Sequence, residues 1–75
     1  MYIYEGHMGS LYTSNHELSY KDLYCEQCCD SDWYIGYATT RAEAWELLKD
    51  KTDIDGSGGW DYDYVQEFIN ENWVE

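Results

Sequence analysis

The sequence predicts an α+β fold: a small antiparallel sheet of three to four strands, with two C-terminal helices packed on one face. Three observations carry that prediction. Rings and aliphatic side chains alternate with period two in the first half, at residues 2–5 and again at 33–38. Apolar residues at helical spacing, each run preceded by a capping residue, fill the second half at 41–50 and 61–73. Polar and glycine-containing stretches separate these runs, and strands segregated from helices define the α+β class.

Residues 2–5 alternate ring, aliphatic, ring, acid, the pattern of a strand with one inward face. Gly6 and Gly9 mark a turn, and residues 11–13 form the returning strand of a hairpin. Ser14 and Glu17 have capping-box spacing, which places a helical turn over 15–18. Residues 23–26 are a candidate third strand, 27–32 a polar turn, and 33–38 a fourth strand. In that last strand Trp33, Ile35 and Tyr37 share one face, and Tyr34, Gly36 and Ala38 the other. Thr40 and Glu43 make a capping box for a helix over 41–50, with Ala44, Trp45 and Leu48 as its apolar stripe, widened by Leu47. A glycine-rich loop covers 54–59. The last helix, 61–73, carries Tyr62, Val65, Ile69 and Trp73 on one stripe flanked by Phe68.

A chain of 75 residues predicts one domain, 1–75, with a thin core. At this size folding buries only about 60% of the surface the unfolded chain exposes. The nine Tyr, four Trp and one Phe compensate, because each ring covers a large area. Sixteen acids against four bases give a formal charge of −12. After Lys51 no basic side chain follows, while Asp53, Asp55, Asp61, Asp63, Glu67, Glu71 and Glu75 do. Such a field repels nucleic acids and anionic membranes and attracts basic protein surfaces. With no apolar run of membrane-spanning length and no signal-like N-terminus, a cytoplasmic location is expected. An odd cysteine count of three argues against a disulfide framework there.

Three constellations carry candidate chemistry. Cys25 and Cys28, two residues apart on a predicted turn, resemble one knuckle of a zinc ribbon, where turn geometry lets two thiolates and nearby amides converge on a metal. A tetrahedral zinc site needs four ligands, and Cys29 with His7 or His16 could complete it. Against it stands Cys29 itself, at a position where zinc knuckles use glycine to reach positive φ; free thiols are the alternative. A redox CxxC lacks the βαβ context such motifs have.

The second constellation is the stretch 53–64, which resembles an EF-hand loop. Asp53, Asp55, Ser57, Gly58 and Asp61 fit positions one, three, five, six and nine, but Tyr64 stands where the bidentate glutamate belongs. It is either a weak calcium site or a loop whose acids cap the next helix. The third is the acidic surface: Asp55, Asp61, Asp63, Glu67 and Glu71 as electrostatic contacts, with Trp60 as an aromatic anchor. Carboxylates along an exposed helix can imitate a row of phosphates. Enzymatic activity is not expected, because neither His7 nor His16 has a serine or cysteine partner that spacing alone places beside it.

At Tyr24-Cys-Glu-Gln-Cys28…Ser31-Asp-Trp33 and Gly56-Ser-Gly-Gly-Trp-Asp61…Tyr64-Val-Gln-Glu-Phe-Ile69 the chain resembles small acidic proteins of bacteriophages and prophages. That resemblance carries no site residues. It implies a bacterial host cell as the setting, and an accessory or inhibitory role in which the chain docks on a basic surface of a host or phage protein. The expectation from the sequence is therefore an acidic protein–protein interaction module, with a zinc-stabilised structural domain as the alternative and a calcium binder as a further one.

Overall fold

The computed structural model describes all residues except Met8, Asp55, Ser57 and Glu75. It is α+β, and it folds as two compact units, Met1–Tyr37 and Ala38–Glu75. Asp55 and Ser57, expected in the acidic contact set and the calcium-like loop, lie outside the described residues. Among the described residues no helix is long and apolar enough to cross a membrane.

The first unit is built on a three-stranded antiparallel sheet in the order β2-β1-β5, with β1 at Tyr2–Glu5, β2 at Leu11–Ser14 and β5 at Trp33–Tyr37. β1 and β2 form the expected hairpin, in register from Tyr2↔Ser14 to Glu5↔Leu11. Ile3, Tyr4 and Leu11 are buried. The Tyr4 hydroxyl is satisfied by the Leu18 amide at 2.9 Å, which removes the cost of burying it. Tyr4 stacks on Tyr12, their ring centroids 5.5 Å apart.

Two expectations in this unit are corrected. The capping box is not Ser14–Glu17: Ser14 ends β2, and its hydroxyl turns onto the His16 backbone instead. The box is Ser19–Asp22, five residues later, and it starts a single helical turn, α1, at Tyr20–Leu23. That turn takes up the start of the predicted third strand, which shrinks to β3, Tyr24–Cys25, paired with β4, Asp30–Ser31. Serine competes for its own neighbouring amides wherever the chain can turn, so two Ser-x-x-acid sites are equivalent on paper and only one becomes a cap.

The second correction concerns β5. Its register against β1 shifts between Ile3 and Tyr4, pairing Ile3 with Gly36 but Tyr4 with Tyr34. The irregularity breaks the alternation expected for 33–38. Tyr34 and Tyr37 consequently meet the same ring, Tyr2, at centroid distances of 6.2 and 4.9 Å.

In the second unit α2, Arg41–Leu48, begins at the Thr40 cap, whose hydroxyl accepts from the Glu43 amide. The Glu43 carboxylate reaches back one residue further than a capping box requires, to the amide and hydroxyl of Thr39. A 3₁₀ turn at Lys49–Lys51 replaces the last turn of the predicted helix. α3 spans Tyr62–Asn72 with Asp61 as its N-cap. Ala44 and Leu48 of α2 and Val65, Phe68 and Ile69 of α3 are buried, joined by Trp73 after the helix. The Trp73 indole nitrogen donates to the Ala38 carbonyl at 3.1 Å. Tyr62, expected on the buried stripe, is instead exposed and stands edge-on to Trp45.

The loop between α2 and α3 is closed by a parallel pair, β6 at Thr52–Asp53 and β7 at Trp60–Asp61. Gly59 makes that closure possible. Its φ is +131°, and a Cβ there would stand 2.6 Å from the Lys51 carbonyl oxygen.

Candidate metal centre

The topology of the first unit brings together three side chains that are remote in sequence. β1 and β5 pair Glu5 with Trp33, so the chain leaving β1 at His7 runs beside the chain entering β5 at Asp32. The Asp32 amide donates to the Leu23 carbonyl at 2.9 Å, which fixes the root of the β3–β4 hairpin. From that root the hairpin runs through Cys25↔Asp30, with Glu26 to Cys29 as its turn. The result is a cluster of His7, Cys25 and Cys28 whose potential ligand atoms all lie within 4.8 Å of one another. His7 and Cys25 are half-buried, and Cys28 is exposed.

The hairpin turn shares two features with a metal knuckle, a left-handed residue after the second cysteine and amides directed at the first. Cys29 has φ 53°, the only left-handed non-glycine residue among those described. The turn therefore adopts the positive-φ conformation that knuckles use after the second cysteine, although a side chain there disfavours it by about 1–2 kcal/mol. The Cys25 thiol is held below its ordinary pKa, first by the Cys28 amide and thiol, then by the Gln27 amide and by His7, against an opposing effect of burial. The same contact pushes the Cys28 thiol up. Amides pointing at a cysteine sulfur stabilise the anion, the form that binds metals.

Asp32 orients the histidine. One carboxylate oxygen accepts from the His7 amide at 2.8 Å and from His7 Nδ1 at 2.6 Å. The other accepts from the Tyr12 hydroxyl at 2.5 Å. Burial raises the Asp32 carboxyl, but the Tyr12 and His7 bonds outweigh it and leave the pKa below the usual value. Asp32 in turn raises His7, and Tyr12 is raised by its burial and by the same carboxylate. With Nδ1–H committed to a carboxylate, the lone pair of neutral His7 resides on Nε2. This is the carboxylate–histidine arrangement found behind metal-ligating imidazoles. Reasoning from sequence placed Cys25, Cys28 and one of two histidines here; it missed Asp32 and Tyr12, whose roles come from strand register that no local spacing encodes.

The remaining candidates are placed elsewhere. Cys29 is exposed, and its thiol faces the Glu26 carbonyl at 3.7 Å. His16 is exposed beside Ser14. In the second unit Asp53 accepts from the Gly56 amide at 2.8 Å, and Asp61 from the Asp63 amide at 2.9 Å. Asp61 thereby caps α3, the role offered as the alternative to calcium, whereas Asp53 turns the loop itself. Asp61, Asp63, Glu67 and Glu71 are all exposed, and Trp60 is half-buried, stacked on Tyr64 with centroids 5.5 Å apart.

No family model, curated protein or solved structure matches the chain. The donor set is therefore what speaks for the site.

Proposed function

We propose that this chain is a small metal-binding module whose first unit holds one zinc-class ion through His7 Nε2, Cys25 Sγ and Cys28 Sγ. The observation that carries this reading is the convergence of three soft or borderline donors from two separate turns onto one point. Two thiolates and an imidazole suit Zn²⁺ and other thiophilic ions, and do not suit Ca²⁺ or Mg²⁺. Asp32 supplies the orienting carboxylate, and the left-handed Cys29 supports the knuckle geometry. In so small a unit, metal binding would contribute directly to folding stability.

The test is a native mass spectrum of protein purified without chelator, for the wild type and for Cys25→Ser, Cys28→Ser and His7→Ala. The reading expects one zinc per wild-type chain and loss of it in both cysteine variants. A wild type that stays metal-free after zinc is added would sink it.

A second reading is favoured by one specific observation. Asp63, Glu67 and Glu71 are spaced i, i+4, i+8 along α3, all exposed, and no basic residue stands in the last turn. Like charges at that spacing destabilise a helix by about 0.2–0.5 kcal/mol per pair. The sequence thus sacrifices helix stability for a line of negative charge, which suits docking of this face, with Trp60 at its edge, on a basic surface of a host or phage protein. Replacing the three acids by their amides should then abolish salt-sensitive capture of such a partner, and unchanged capture would refute it.

A further inference from the structure

We infer that the metal site is open: its fourth coordination position is filled from outside the chain, by a neutral nitrogen donor of the imidazole class. The inference rests on the metal-binding reading above and goes beyond it by naming what completes the shell. Zinc-class ions take four ligands, and sites with three protein ligands keep a vertex for water or for an incoming group.

Among the described residues no fourth His, Cys, Asp or Glu donor atom converges with these three. Both Asp32 oxygens are taken, one by the His7 amide and ring and the other by Tyr12. Cys29 follows a ligand directly, but its thiol faces the Glu26 carbonyl and is not among the converging donors. His16 stands beside Ser14 and is not among the converging donors. The ligand that faces solvent is Cys28, so the vertex beside it is approached from the surface.

Charge then selects the class of donor. A divalent ion with two thiolates and one neutral imidazole carries no net charge, and Asp32 behind His7 makes the surroundings negative. The chain as a whole carries −12. An anionic fourth ligand would enter against that field, whereas a neutral nitrogen donor enters without opposition, and one borne on a basic partner segment is drawn in. With a metal bound, water would hold that vertex until such a donor displaced it.

The experiment uses the full chain loaded with Co²⁺, whose visible bands report ligand number and type, titrated with imidazole and separately with azide. The expected result is a shift of the d–d bands that saturates with one imidazole per cobalt, at a concentration roughly tenfold below that needed for azide. Bands unmoved by imidazole mean a closed shell and overturn the inference. So does azide binding more tightly than imidazole. Loss of thiolate-to-cobalt intensity in Cys29→Ser would identify Cys29 as the fourth ligand. Bands that change on dilution of the protein would assign that role to a second copy, and either result overturns the inference while leaving the metal reading intact. Absence of thiolate–cobalt bands altogether defeats the metal reading itself, so the two failures are told apart.

Discussion

Replacing Asp32 with Asn tests the metal centre through a residue that never touches the metal. The carboxylate accepts three hydrogen bonds, two on one oxygen and one on the other. An amide offers one accepting oxygen and presents an NH₂ to whichever partner meets its other side. If that oxygen keeps His7, the Tyr12 hydroxyl faces a donor; if it keeps Tyr12, His7 Nδ1–H loses its acceptor and the ring is free to turn. Losing an orienting group of this kind costs about 10–100-fold in metal affinity, or about 1.4–2.7 kcal/mol. The metal-free protein should also lose about 1–3 kcal/mol of stability, because buried polar groups lose partners. Competition against a chromophoric chelator gives the affinity, and urea unfolding in excess chelator gives the metal-free stability. Tyr12→Phe is the control: it keeps the ring on Tyr4 and the whole His7–Asp32 contact, and should lower affinity by less than about tenfold. A folded Asp32→Asn protein that binds zinc within about twofold of wild type would refute the orienting role.

Three further outcomes follow from the same structure. Cys29→Gly should retain the metal and gain up to about 1–2 kcal/mol in denaturant unfolding, since glycine adopts φ 53° without strain; loss of metal would instead make that thiol a ligand. Gly59→Ala should destabilise the second unit by more than about 1 kcal/mol, because a Cβ would press on the Lys51 carbonyl in a backbone region closed to alanine, and an effect near zero would contradict the described loop closure. The caps give the pH dependence. Asp22 is held below its ordinary pKa by the Ser19 amide and hydroxyl, and Glu43 by the Thr39 hydroxyl and amide. A depressed folded-state pKa means stabilisation that is present above the unfolded-state value of about 4 and lost as pH falls through the folded one. The Ser19 and Thr39 amide resonances should therefore move together with their carboxylates in an acid titration, at pH values below the ordinary carboxylate range.

Much of the fold was legible because its signals are local. Alternation in Tyr2–Glu5, the Thr40 cap before α2 and the apolar spacing of Val65, Ile69 and Trp73 each depend on residues within a turn or two of one another. What escaped depends on pairing across the chain. The register shift between β1 and β5 flips Tyr34 relative to simple alternation, and nothing in the string WYIGY announces it. The choice of Ser19 over Ser14 as a cap is settled by β2 claiming Ser14 for its pairing with Tyr2. The candidate site divides the same way. Cys25 and Cys28 announce themselves by spacing, and His7 by being one of two histidines. Asp32 was one acid among sixteen, and only the adjacency of the β1 exit and the β5 start singles it out. Cys29 shows the reverse: its side chain argued against a knuckle, yet its backbone takes the left-handed turn.

The most direct test of the metal centre is the zinc K-edge absorption spectrum of the zinc-loaded protein. The expected shell holds two sulfurs at about 2.3 Å and two lighter atoms at about 2.0–2.1 Å, one of them an imidazole nitrogen with its outer-ring scattering. A shell of three or more sulfurs, or one with no sulfur at all, would contradict the assignment of His7, Cys25 and Cys28 as the ligands.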